Sequence, residues 1–324
     1  MSSMFKVGAD RNSINRLMIK NKIQKRFKII KKERELWLIC IPMIIWVGIF
    51  FYYPMYGVSM AFVNYIPGKN IFACDWVGLK WFIELFTSPE FGKIIRNTLV
   101  ISGLNILFGF PAPIILALMF NEMKNKSTKK IFQTISYLPH FISWIVAASL
   151  VYSMFGSEGV VNEILMKLNM TDKAISFLGD GRYFWSLITL VNIWKTVGWS
   201  TIIYLSAISG IDEELYQAGS IDGLGRFGLI RYITLPGIGN TAALLCILAV
   251  GQILSAGFEQ LLLIGTVQTR EYWDVIDTYA YRYGVLLGRY SYGAAVGFLK
   301  SIISLTLVLV SNRIAKKLFD ISII

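Results

Sequence analysis

Residues 212–238 read DEELYQAGSIDGLGRFGLIRYITLPGI, a polar and glycine-rich interruption between two strongly apolar blocks. Asp212, Glu213 and Glu214 open it, Gly223 and Gly225 break it, and Pro236-Gly237 stop it. Acids in a first turn stabilise a helix through its dipole, whereas glycine and proline end one. The stretch therefore predicts a short helix, an abrupt change of direction at the two glycines, and a second helix. Leu215, Ala218 and Ile221 recur every three residues and set a small apolar ridge on the first helix.

On both sides of this elbow the chain reads as membrane. Of its 324 residues, 55% are apolar and 14% aromatic, well beyond a soluble globular average. Six blocks, about 36–63, 96–120, 131–155, 183–209, 237–262 and 292–314, each supply the roughly 20 helical residues a bilayer requires. Uniformly apolar blocks of that length satisfy their backbone groups as helices. The expected fold is all-α: a polytopic membrane protein with six transmembrane helices in one domain, 36–314. A basic tail, 1–35, precedes it and a short tail, 315–324, follows. Two readings stand for the N-terminal tail: an amphipathic helix on an anionic leaflet, or a basic segment that only sets orientation. A cleaved signal peptide is not expected, because the first apolar block exceeds a signal h-region.

The net charge of +12 comes without a nucleic-acid recognition motif, so it is read as orientation and lipid contact. Eleven Lys and Arg lie in the N-terminal tail. With the N-terminus inside, the same face gains Lys124, Lys126, Lys129, Lys130, Arg226, Arg231, Arg313, Lys316 and Lys317. The other face holds Lys69, Lys80, Lys93, Lys167, Lys173, Arg182, Arg270, Arg282 and Arg289. The excess predicts both termini and the elbow in the cytosol.

Three scattered cysteines and one histidine, His140, support neither a disulfide framework nor a metal site. No phosphate loop is present: Gly68-Lys69 and Gly92-Lys93 lack the upstream glycine and the following hydroxyl residue. Nor is there a catalytic constellation, so an enzyme in its own right is not expected. Polar residues inside apolar blocks are costly and mark candidate sites. Asn192, Lys195 and Trp199 share a face of the fourth block, Gln252 and Glu259 a face of the fifth, and Lys300 stands in the sixth. They predict a hydrophilic path, with the alternative that Glu259 and Lys300 snorkel or pair with each other.

At Gln217, Ala218, Gly219, Asp222, Gly223, Ile233, Leu235 and Pro236 the elbow resembles the cytoplasmic signature of permease subunits in binding-protein-dependent ABC importers. Gln217 and Gly219 depart from the usual glutamate and alanine, which leaves the acidic contact to Asp212, Glu213 or Glu214, or drops it. The runs Tyr53-Pro54-Met55-Tyr56-Gly57, Asn97-Thr98, Pro111-Ala112-Pro113, Tyr137-Leu138-Pro139-His140-Phe141 and Tyr290-Ser291-Tyr292 resemble the carbohydrate branch, particularly importers of oligo- and polysaccharides. The resemblance implies a type I importer fold with a coupling helix between spans four and five. Glu213, Glu214, Leu215, Gln217, Ala218, Ile221, Asp222, Gly223 and Pro236 would form its contact with the motor. It also implies a second homologous permease, an ABC ATPase dimer that holds ATP and Mg, an extracytoplasmic solute-binding protein and a bacterial cytoplasmic membrane. No cofactor is expected on this chain. A secondary sugar transporter or channel is the alternative; it would show inverted-repeat halves. Outer-side cations such as Lys173 and Arg282 hint weakly at an acidic, uronate-containing glycan.

Overall fold

A computed structural model describes residues 33–319 of the chain; the expected tails, 1–35 and 315–324, fall largely outside them. The chain divides into two compact units, Met1–Ser59 and Met60–Ile324. In the first unit, helix α1 (Arg34–Val47) has no buried side chain. A π turn, Gly48–Tyr52, follows it, and Trp46 and Phe50 meet with ring centroids 4.1 Å apart.

The second unit is helical. Among the described residues the one β contact is an isolated antiparallel bridge between Val63 and Trp76. Its helices are α2 (Lys80–Thr87), α3 (Phe91–Leu104), α4 (Pro111–Asn121), α5 (Lys126–Phe141), α6 (Trp144–Phe155) and α7 (Val160–Lys167). The second half holds α8 (Gly181–Ser209), α9 (Glu213–Ile221), α10 (Arg226–Leu229), α11 (Gly239–Gly251), α12 (Phe258–Ile264), α13 (Ile276–Tyr281) and α14 (Tyr290–Phe319).

Four helical stretches are long and apolar enough to cross a bilayer: Arg34–Phe62, Phe91–Asn121, Trp144–Lys167 and Tyr290–Lys317. A fifth candidate is the pair Arg226–Gly237 and Gly239–Gly251, bent by 59°. The first, second and sixth expected blocks thus coincide with long apolar helices. In the second, a π turn at Asn105–Gly109 leads into Pro111, the first residue of α4, where its missing N–H costs nothing.

Of the other three blocks, the fourth coincides with one helix and the third and fifth differ from expectation. The third is broken at Ile142, because Ser143 caps a new helix by accepting from the Val146 N–H, so the apolar stretch runs 144–167 rather than 131–155. The fourth, α8, is 29 residues long, yet Asn192, Lys195 and its tryptophans and tyrosines dilute its hydropathy. Asp180 caps it, accepting from the Arg182 N–H at 2.9 Å. The fifth block is not one helix: it unwinds between Gly251 and Phe258 around Gly257, whose φ of +97° favours glycine.

Helix α8 is the element the second unit packs around, lying against α4 and α5. Gly198 allows the tightest approach; a Cβ there would collide with the Ser136 carbonyl of α5. One core cluster gathers Phe184, Ile188 and Val191 of α8 with Ile101, Leu261 and Ile264. A second joins Trp81, Ile94, Tyr279, Tyr292 and Val296, and a third joins Ala117, Tyr204, Ile208 and Ile238 next to the elbow.

Candidate functional site

The elbow follows directly from α8. Asp212 caps α9, its carboxylate accepting from the Glu214 N–H at 3.0 Å, and Glu213 and Glu214 fill the first turn. The turn beyond α9 is made by Gly223 at φ +81°. Gly225 does not share this role: its φ of −74° and ψ of 176° are extended, and it precedes α10 as an ordinary N-cap. Pro236 sits exposed in the short turn Leu235–Gly237.

Two opposite faces result. On the inner face, Gly219 is buried, and a Cβ there would meet Ile233 Cδ1 at 2.7 Å and Leu229 Cδ2 at 3.0 Å. Glycine at this position therefore lets α9 close onto the segment that leads back to α11. The Tyr216 hydroxyl pairs with Thr234 Oγ1 at 3.0 Å and fastens the same contact. Arg226 ties the elbow to the end of α4, donating from Nε to Glu122 Oε2 at 2.8 Å and to the Glu122 carbonyl at 3.3 Å.

On the outer face, Glu213, Glu214, Leu215, Gln217, Ala218, Ile221, Asp222 and Gly223 are exposed. The three-residue ridge is thus presented outward, with Ile221 86% exposed. Phe227 adds a large apolar surface at 88% exposure. Sequence reasoning passed over Phe227; its signal was a lone aromatic residue between Gly225 and Gly228.

The interior candidates separate into two places. Asn192 donates to Asn105 Oδ1 at 2.9 Å, and both line a cavity of about 390 Å³ together with Gln252, Ser102, Ser255 and Gln260. Lys195 and Trp199 are not on its wall. The Lys195 ammonium is buried and donates to the carbonyls of Pro139 (3.3 Å), His140 (3.2 Å) and Ile142 (2.6 Å), where α5 ends. Trp199 stacks on His140, centroids 4.7 Å apart and planes 3° from parallel. The face shared by residues 192, 195 and 199 is wide enough to touch two neighbours, the π turn of the second block on one edge and α5 on the other.

Glu259 is exposed, and Lys300 pairs with Asp277 at 2.5 Å, not with Glu259. Ser102, Asn105 and Gln260 were missed in the sequence. Serine is unremarkable in an apolar helix, and Gln260 was masked by its charged neighbour.

The cations of the expected outer segments are largely neutralised. Arg282 reaches Asp274 at 2.5 Å and Glu90 at 2.8 Å. Burial alone would lower its pKa, but the hydrogen bonds and charges of Glu90 and Asp274 outweigh burial and hold the guanidinium above its usual range. Arg289 pairs with Glu84 at 2.5 Å, Lys93 with Glu271 at 3.1 Å and Arg182 with Asp180 at 2.6 Å. Among the described residues no group of three or more His, Cys, Asp or Glu side chains is placed to hold a metal ion.

The described chain is thus helical, with several long apolar helices, a capped polar elbow and an open cavity lined in part by hydroxyls and carboxamides. The chain belongs to the family described as binding-protein-dependent transport system inner membrane component, which matches residues 109–320. It is thus a multi-pass component of a cytoplasmic membrane transport system. Protein LplB of Bacillus subtilis (strain 168) is 42% identical over 292 residues, 90% of this chain and 91% of that protein. The polygalacturonan/rhamnogalacturonan transport system permease protein YteP of the same organism is 40% identical over 307 residues, covering 94% and 95%. A crystal structure of a bacterial ABC transporter involved in the import of the acidic polysaccharide alginate has a chain that superposes with a TM-score of 0.84 at 40% identity, covering 91% of this chain and 99% of that one. A bacterial alginate ABC transporter crystallised with an alginate pentasaccharide-bound periplasmic protein matches with the same figures.

Proposed function

We propose that the chain is a permease subunit of an ATP-driven oligosaccharide importer, with α9 as its coupling helix. The observation that carries this reading is the two-faced elbow. Gly219, Tyr216 and Arg226 fasten it to the body, while Leu215, Ala218, Ile221 and Phe227 stand outward. An apolar ridge on a short helix suits a groove in a partner protein, and the chain carries no phosphate loop of its own.

In this reading the chain crosses the membrane six times, the third time through 144–167, with both termini and the elbow in the cytosol. An ATPase dimer holds ATP and Mg and moves the elbow as a lever. A second permease completes the path, and a solute-binding protein delivers the glycan from outside. Closure of the motor tilts α8 and the bent fifth span, switching access from one face to the other. Asn192, Gln252 and the cavity they share form this chain's wall of the path.

Relatives named for polygalacturonan, rhamnogalacturonan and alginate support an oligosaccharide substrate that contains uronate. Co-purification of the chain with an ATPase, and ATP-dependent uptake of a glycan panel into proteoliposomes, test the function. Uptake driven by an ion gradient without ATP would replace it with a secondary transporter.

A further inference from the structure

The walls of the open cavity that Asn192 and Gln252 share carry no charged side chain: every polar side chain lining it is a hydroxyl or a carboxamide. Two of them, Ser102 and Gln260, are buried. Ser102 is only 5% exposed, and its hydroxyl has no hydrogen-bond partner, an arrangement that calls for an explanation in a folded protein. Gln260 is nine-tenths buried, and its carboxamide lies over Gly257, where a Cβ would collide with Nε2. The left-handed glycine at the break in the fifth block thus makes room for this amide. Across from them, Asn192 and Asn105 pair through one amide hydrogen and one carbonyl, which leaves the Asn105 amide group and the Asn192 carbonyl oxygen unused in that bond.

Hydroxyls and carboxamides donate and accept, as sugar hydroxyls do. A carboxylate leaving water only accepts, and is matched best by a cation. The nearest candidate on α8, Lys195, directs its ammonium to the carbonyls of Pro139, His140 and Ile142 and is not on the cavity wall. The cavity, about 390 Å³, falls in the roughly 300–1,000 Å³ range of small-molecule sites.

We propose that this chain's wall of the path recognises the ring hydroxyls of the glycan through Ser102, Gln260 and the Asn105–Asn192 pair, and does not read its carboxylate. The inference rests on the importer reading. It means that a substrate's negative charge is selected elsewhere in the transporter, so that esterified, reduced and ionised forms of one glycan meet the same contacts here.

The test uses the full permease and ATPase assembly in nanodiscs, with saturation-transfer NMR of a galacturonate pentasaccharide and its methyl ester. Ser102→Ala and Gln260→Leu are expected to weaken both forms by the same factor, about fivefold for one lost hydrogen bond. Gln260→Glu is expected to shift the ratio of the two affinities against the ionised form by about tenfold or more, because it buries like charges together. Ser102→Ala removes an atom with no partner in the fold, so its folding is secure and the comparison holds even if a Gln260 variant fails to assemble. A changed ratio in Ser102→Ala or Gln260→Leu, unaltered affinity for both forms, or no binding by the wild-type assembly would each overturn the proposal. The importer reading fails separately, by loss of ATP-dependent uptake in the wild type.

Discussion

Arg226, the first residue of α10, and Glu122, at the end of α4, are joined by a 2.8 Å ion pair across 104 residues of sequence. The pair links the elbow to the C-terminal end of α4, while the chain itself joins it to α8. Exposed ion pairs contribute about 0–1 kcal/mol, so its importance is directional. Glu122→Arg is expected to leave the thermal unfolding temperature nearly unchanged while lowering the uptake per ATP hydrolysed severalfold. Adding Arg226→Glu reverses the pair and should recover most of the coupling; a double variant no better than the single would show that the contact transmits nothing.

Gly219 should tolerate alanine and reject valine. The atoms a Cβ would meet are the flexible ends of Ile233 and Leu229, which can yield a few tenths of an ångström, whereas a branched side chain overpacks the contact at about 1–3 kcal/mol. Retention of the ATPase subunits during purification measures this. Gly219→Val is expected to lose them and Gly219→Ala to keep them.

Lys195 acts as a structural tie. Lys195→Met removes three hydrogen bonds from a buried ammonium to the end of α5 and leaves those carbonyls without their donor. The expected destabilisation is about 1–3 kcal/mol, read as a lower unfolding temperature of the assembled permease. The ratio of affinities for ionised and esterified glycan should not move; a shift in that ratio would place Lys195 on the glycan path after all.

The long apolar helices and the elbow were legible because each rests on a local signal: unbroken apolar runs, an Asp212 cap and a glycine-proline stop. Two breaks were not. Helix α5 ends where Lys195, more than fifty residues later, caps its carbonyls, and the fifth block unwinds where Gly257 accommodates Gln260. Both depend on tertiary partners that no window of sequence contains. The polar residues of the apolar blocks were legible one by one; their grouping was not. Asn192 and Gln252 both line the cavity, whereas Lys195 and Trp199 turn to residues of α5 and Lys300 to Asp277. Helical spacing shows which residues share a face, not which neighbour that face meets.

Delivery of the motor's movement to the path by the elbow is tested at Gly223 with least collateral damage. Its φ is +81°, and a Cβ there would meet nothing within 4 Å. A substitution therefore strains only the turn, by about 1–2 kcal/mol, and leaves the packing around it intact. The decisive measurement is uptake per ATP hydrolysed by the complete importer carrying Gly223→Val in proteoliposomes. The account predicts a correctly inserted, assembled complex that still hydrolyses ATP but imports the glycan at about a tenth of the wild-type ratio or less, the loss that roughly 1.4 kcal/mol of coupling represents. An unchanged ratio in that variant would contradict it.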